Sequence, residues 1–230
     1  ATIPLLFHPG ERFNYSFATD VVGRLIEIMT GLPLDAALQQ RVMAPLGMAD
    51  TAFLVPDAKL SRFAALYAPK AGGGVTLLDD PQTSKYRRPR TLLSGGGGLV
   101  STTRDYLRIV RLLANGGAVD GVRVLGRKTV ELMTCNHLPG DIAGMGPRHF
   151  TDTPTTGLGY GLGFLVTLDP ARLQIAGSRG EFAWGGNGST AFWVDPLEQT
   201  VVMLTTQLMP SSTYPLRREL RVAVNQALTD

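Results

Sequence analysis

The sequence predicts an α+β protein: an antiparallel sheet covered by a terminal helix, with a helical region to one side. Two observations carry this. After residue 157 the apolar period drops to two, in short runs separated by turn residues, and consecutive strands joined by short turns pair antiparallel. The closing stretch 215–228 has a helical period with one apolar stripe, which suits a helix laid on one face of that sheet.

Taken in order, Pro9-Gly10 marks a turn, and residues 19–30 follow as a helix with Val22, Leu25, Ile26 and Met29 at helical spacing, stopped by Gly31. Pro33 opens a second helix with Leu34, Leu38 and Val42 on one face, ending near 45–47. Residues 51–90 carry no clear period, and no strand is placed there. The glycine-dense run 94–98 precedes Thr102-Thr103-Arg104-Asp105, which has capping-box spacing with Asp in place of Glu. The helix after it has Tyr106, Ile109, Val110 and Leu113 on one face and Arg104, Arg108 and Arg111 on another, and Asn115-Gly116-Gly117 stops it. Asp120-Gly121 predicts a tight hairpin, residues 128–135 a helix, and 139–157 a long loop. Strands are expected at 160–167, 173–176, 181–184, 190–194 and 200–206, with Asp195-Pro196 turning between the last two. The closing helix would use Leu216, Leu220, Ala223, Val224 and Ala227 as its apolar face.

Composition narrows the function. With 44% hydrophobic and 18% charged residues the chain can build a packed core and is not of disordered type. No apolar run approaches the roughly 18 residues of a spanning helix, so no membrane partner is expected. Lys+Arg exceed Asp+Glu by only 3, and the densest basic stretch, Lys85-Tyr86-Arg87-Arg88-Pro89-Arg90, reads as a solvated loop rather than a polyanion site, so no nucleic-acid partner is expected. Cys135 is the single cysteine, which excludes an internal disulfide and a cysteine-rich zinc cage. His8, His137 and His149 are isolated, with no H-E-x-x-H, and neither metal nor cofactor is predicted.

The chemical motifs are sparse. The glycine run lacks a P-loop ending and a Rossmann acid; its glycines would admit close approach of a ligand or of a neighbouring helix. There is no G-x-S-x-G elbow. Three residues before Lys59, Lys70, Lys85 and Lys128 stand Pro56, Tyr67, Gln82 and Leu125, so the chain contains no S-x-x-K. Tyr15, between a turn and a helix, is either a core aromatic or a proton carrier whose pKa near 10 would need cationic neighbours to fall. In Trp184-Gly185-Gly186-Asn187-Gly188, two glycines inside a strand pattern mark either a β-bulge or a close approach that exposes a backbone N–H to an oxyanion.

Pro9-Gly10 with Tyr15-Ser16-Phe17, the glycine run with Ser101-Thr102 and Asp105, Trp184-Gly185-Gly186, and Phe192-Trp193-Val194-Asp195-Pro196 occur in that order. Together they resemble the serine β-lactamase-related, penicillin-binding-protein-like superfamily, and within it the class C-like (family VIII) carboxylesterases. Residues 9–53, 94–113 and 180–208 carry the resemblance, which therefore extends over most of the chain. It implies a β-lactamase/transpeptidase-like fold with the active site between the sheet and the helical region. It implies that Tyr15 matches the tyrosine that helps move the serine proton. It implies that Trp184-Gly185-Gly186 matches the Lys-Thr-Gly motif, and that the backbone N–H of Asn187 is an oxyanion donor.

Three departures follow. Phe17 stands where β-lactamases carry Asn and Trp184 where they carry Lys, as in the esterase branch, which favours neutral esters. The S-x-x-K segment is missing. Residues 1–230 are accordingly expected to be one β-lactamase-like domain without its N-terminal part, with a helical and loop region over 1–157 and the sheet with its closing helix over 158–230. The opening at Ala1, without Met or a signal core, is treated as a possible cut, and the compartment is left open.

The expectation is a serine hydrolase cleaving carboxylic esters through an acyl-enzyme, with serine and lysine supplied from upstream. Phe17, Trp184, Gly185 and Gly186 would face a small-molecule ester. The alternatives are an inactive interaction module, whose open sheet edges would take an N-terminal segment or partner chain, and β-lactamase or acyltransferase activity.

Overall fold

A computed structural model describes residues 3–146, 149–150 and 153–229. The first part is helical. Helix α1 spans Ala18–Thr30 and ends on Gly31, whose φ of 69° is the left-handed stop that glycine allows. Helix α2, Leu34–Leu38, runs into a π-helical turn at Gln39–Met43, so the second predicted helix is present but underwound and wider in its second half. A hairpin then follows, β1 (Leu66–Pro69) with β2 (Val75–Asp79). No strand was predicted there, for a physical reason: Tyr67, Val75, Leu77 and Leu78 are all exposed, so no buried face imposes an alternation.

Helix α3 spans Thr103–Ala114, β3 (Ala118–Val119) and β4 (Val122–Arg123) form the expected tight hairpin, and α4 is Arg127–Met133. Inside the predicted long loop lie a short pair, β5 (His149–Phe150) and β6 (Thr153–Pro154). Residues 147–148 and 151–152 and the side chain of His149 lie outside the described residues. The main sheet begins with β7 (Leu158–Tyr160) and β8 (Leu165–Thr167). These replace the single predicted strand 160–167: Gly161 donates to Phe164 O (2.8 Å) and Gly163 has φ +95°, which turns the chain back.

The predicted strand 173–176 is wrong. Helix α5, Pro170–Leu173, occupies its start, with Pro170 in the first turn and Asp169 accepting from the Arg172 N–H; left-handed Gln174 ends it. Strands β9 (Phe182–Gly185), β10 (Ala191–Asp195) and β11 (Thr200–Leu204) complete an antiparallel sheet of order β11-β10-β9-β8-β7, and α6 is Leu216–Gln226.

The sheet has two differently covered faces. On one, Val110 and Leu113 of α3 and Val130 of α4 meet Val166, Phe182, Phe192 and Val194 in a closed core. Each such fully buried side chain contributes about 1.5–3 kcal/mol. The back of α3 joins a second cluster with Met43, Leu46, Met48 and Val119.

On the other face lies α6, and its predicted apolar stripe is only partly used. Leu216, Leu220 and Val224 are half-buried, while Ala223 and Ala227 are exposed. Its arginines attach it instead: Arg221 lies 4.9 Å over the Trp193 ring and pairs with the buried carboxylate of Glu181, and Arg218 donates to Gln174 O.

The capping box is half made. Thr102 Oγ1 accepts from the Asp105 N–H (3.2 Å), but the Asp105 carboxylate does not return to the cap. Buried, it accepts from the Asp50 N–H (2.7 Å) and the Thr51 hydroxyl (3.0 Å), tying a distant loop to the start of α3.

Candidate active site

Three chain segments meet at the site. The first is residues 13–17. The Phe13 N–H donates to Met145 O (2.9 Å), and Gly146 is close enough to Phe13 O that a Cβ would collide with it. This pins the stretch that carries Tyr15 just ahead of α1. Phe17 is the N-cap residue of α1 without a side-chain capping bond, and it is 82% exposed.

The second segment is β7. The Tyr160 N–H donates to Asn136 Oδ1 (2.9 Å) and Tyr160 O accepts from the His137 N–H (2.8 Å), so the edge of β7 is fixed by the loop after α4. The Phe13 and Tyr160 rings meet edge-on at 5.1 Å.

The third is the β9–β10 hairpin. Side chains alternate along a strand, so Phe182 and Trp184 share the face turned to the core, while Ala183 and Gly185 face α6. The Trp184 ring is flanked by two tyrosines, Tyr15 at 5.8 Å and Tyr160 at 5.8 Å. Tyr15 and Trp184, distant in sequence, are thus brought into ring contact. Phe17 makes no ring contact among the described residues. Burial, and secondly the nearby Tyr15, push the Tyr160 phenol above its ordinary pKa, which keeps it a neutral hydroxyl.

The turn between β9 and β10 is Asn187-Gly188-Ser189. The Ser189 N–H donates to Gly186 O (3.1 Å) and the Gly186 N–H to Thr190 O (3.0 Å). Neither Asn187 nor Gly188 has a positive φ, whereas Ser189 has φ +65°. That is a type I turn followed by a left-handed residue, a common three-residue hairpin loop. Ser189 is buried and its hydroxyl donates to Leu208 O (2.6 Å). Asn187 is exposed.

The glycines of this motif meet protein atoms. A Cβ on Gly185 would stand 2.7 Å from Cζ of Arg217, and one on Gly186 would stand 2.5 Å from Thr190 Oγ1. The run at 94–98 is resolved similarly: Gly95 lies against the Thr19 carbonyl and Gly96 against the Thr19 hydroxyl, so these two glycines admit a neighbouring helix.

Other candidates fall elsewhere. His137 Nε2 contacts Leu132 O (2.7 Å) and Cys135 Sγ (3.6 Å) at the surface. Arg87 pairs with Asp57 (3.0 Å) and Arg90 lies 4.6 Å over the Tyr86 ring. Among the described residues no group of three or more His, Cys, Asp or Glu is placed to hold a metal, and no helix is long and apolar enough to cross a membrane. A cleft of about 530 Å³ opens against Phe7, Arg12, Asn14 and Met145; it adjoins the segment carrying Tyr15, but neither Tyr15 nor Trp184 lines it.

Sequence reasoning did not single out two residues that the structure brings to this site, Tyr160 and Arg217. Tyr160 sits in a Gly-Tyr-Gly repeat that reads as strand and turn. Arg217 is one charge on an amphipathic helix, distinguished in the structure by its contacts with Gly186 O (2.6 Å) and Thr190 O (3.1 Å).

Comparisons with known proteins agree with this architecture. The chain is 36% identical over 215 residues to the Mycobacterium tuberculosis protein Rv1367c, covering 91% of this chain and 52% of that one. It is 31% identical over 242 residues to the esterase EstB of Burkholderia gladioli, covering 97% and 57%. The solved structure of EstCE1, a hydrolase with promiscuous acyltransferase activity, superposes with a TM-score of 0.81 at 26% identity, covering 97% of this chain and 58% of that one. The chain thus spans little more than half the length of these relatives. The model of the beta-lactamase family matches residues 1–226, and the chain belongs to that family.

Proposed function

We propose that this chain is the part of a serine carboxylesterase that carries its tyrosine and one of its oxyanion donors, the nucleophilic serine and its lysine being supplied by an upstream segment. The observation that carries the reading is the contact between Tyr15 and Trp184, which puts a phenol beside the strand leading to Asn187. The chemistry then follows from the parts. The serine attacks the ester carbonyl while lysine and Tyr15 take its proton and return it to the leaving alcohol. The N–H groups of the serine and Asn187 hold the oxyanion, each such donor being worth about 10²–10³ in rate. Water then cleaves the acyl-enzyme.

Trp184 in place of a lysine and Phe17 in place of an asparagine give the site an aromatic, uncharged wall, which supports a neutral ester over an anionic β-lactam. The esterase among the relatives supports the same substrate class. Acyl transfer is the second reading. It needs only an alcohol in place of water, and the hydrolase with acyltransferase activity among the structural neighbours favours it.

The upstream segment would also have a surface to cover. Val21, Val22, Leu25, Ile28 and Met29 of α1 are all exposed. With no S-x-x-K in its sequence, the 230-residue chain by itself is expected to be inactive.

The test is a fluorophosphonate serine probe read by intact mass. No adduct on this chain, with one adduct once the upstream segment is joined to it, is the expected result. An adduct on this chain alone, at Ser94 or Ser189 for example, would overturn the assignment of the nucleophile. No adduct in either form would leave a non-catalytic interaction module.

A further inference from the structure

Arg217 reaches from α6 to the neck of the β9–β10 hairpin. Its Nη2 donates to both Gly186 O (2.6 Å) and Thr190 O (3.1 Å), one carbonyl from each side of the turn. Gly185 makes room for it, since a Cβ there would meet the guanidinium carbon at 2.7 Å and the Thr190 oxygen at 2.9 Å.

The Gly186–Asn187 peptide is trans, so its C=O and N–H point in opposite directions. The Gly186 carbonyl faces the β10 side, where Ser189 N–H and Arg217 hold it. The Asn187 N–H therefore faces the other edge of β9. The β8 ladder pairs only Phe182 and Ala183 and stops before Trp184. Among the described residues no group accepts the Asn187 N–H.

We propose that Arg217 is a positioning residue: by holding the Gly186 carbonyl it fixes the plane of the Gly186–Asn187 peptide and keeps the Asn187 N–H aimed along the open edge of β9, beside Trp184. The proposal deepens the oxyanion role given to Asn187 and rests on that reading for its catalytic consequence. A cation on the carbonyl also polarises the peptide and strengthens the N–H on its far side as a donor. Arginine suits the task because its planar fork keeps its orientation while bonding two carbonyls, which a flexible ammonium does not.

Two measurements test it. The first follows the Asn187 amide by ¹⁵N NMR in the 230-residue chain. Arg217→Gln should shift that resonance, while the Val110 amide in the core stays unchanged. Gly185→Ala, which displaces the guanidinium from the strand side and leaves α6 its arginine, should move the same resonance. An Asn187 amide unmoved in both variants would overturn the proposal.

The second measures p-nitrophenyl acetate hydrolysis in the protein with its upstream segment, with rates normalised to sites titrated by fluorophosphonate. Arg217→Gln should lower kcat by about 10- to 100-fold with KM within about 2-fold, and Arg217→Lys should recover part of the loss. Asn187→Pro deletes the N–H at the turn position where proline is favoured, and so separates the two claims. If Asn187→Pro lowers kcat and Arg217→Gln does not, the positioning role is overturned. If Asn187→Pro leaves kcat unchanged, the oxyanion reading fails, and the amide data alone decide whether Arg217 holds the peptide.

Discussion

Helices α1 and α3 are of similar length, 13 and 12 residues, and both carry apolar residues at helical spacing, yet their surroundings differ completely. In α3, Val110, Leu112 and Leu113 are buried, one face against the sheet and the other against the Met43–Met48 cluster. In α1 only Gly23 is buried, packed on Gly95 and Leu34; Ile28 is 63% and Met29 85% exposed. The N-termini differ in the same sense. Thr102 caps α3 through its hydroxyl, whereas Phe17 offers α1 none. An amphipathic pattern states that a face is to be covered and is silent about what covers it. For α3 the cover is this chain's own sheet.

The contrast can be broken or sharpened by substitution. Phe192→Ala, in the closed core beneath α3, should cost about 3–5 kcal/mol in urea unfolding. A loss below about 1 kcal/mol would mean that the sheet and α3 do not share one core.

On the opposite face of the sheet, burial pushes the Glu181 carboxyl up to about 7 despite its pairing with Arg221. Its folded pKa then lies above its unfolded value near 4.5, so the folded state binds the proton more tightly. The native state is favoured most below about pH 4.5 and loses stability as pH rises through about 7, by about 3 kcal/mol. Urea titrations at pH 5 and pH 8 should show that loss, and Glu181→Gln should flatten it; an equal slope in both proteins would refute the assignment.

Asp105→Ala removes the acceptor for the Asp50 N–H and the Thr51 hydroxyl and should cost about 1–3 kcal/mol by thermal melting. At the bottom of the scale, Ile28→Ala on the open face of α1 should change the stability of this chain by no more than about 0.5 kcal/mol. A cost of 2 kcal/mol or more there would show that the face is covered in solution, by a second copy for instance.

The sequence-based reading succeeded where a buried face imposes a period. Strands β9, β10 and β11 and helix α3 lie against the core, and their alternation or helical spacing was visible for that reason. It failed where packing is one-sided or polar. The β1–β2 hairpin has no buried face to betray it, and the 173–176 segment has an apolar composition while Pro170 and left-handed Gln174 dictate a short helical turn. Glu at the third helical position predicts a return to the cap, but Asp105 is shorter and turns to Thr51 instead.

At the site, Tyr15 and the Trp184–Asn187 motif were legible as separate signals because each sits at a break in a periodic pattern. Their proximity was not, since ring contacts at 5.8 Å across the fold leave no local trace. The glycines were legible as close approaches, but the approaching group at Gly185, Arg217, lies in a different element and reads there as an ordinary surface charge.

The reach of Arg217 has a consequence for biogenesis. The β9–β10 hairpin is translated before the arginine that braces it, with all of β11 in between. A nascent chain paused ahead of residue 217 can pair its strands and form the turn, yet the peptide before Asn187 still has its carbonyl held by the Ser189 N–H alone. On the proposed reading, that order of synthesis would delay a fully formed oxyanion site until α6 has emerged and docked.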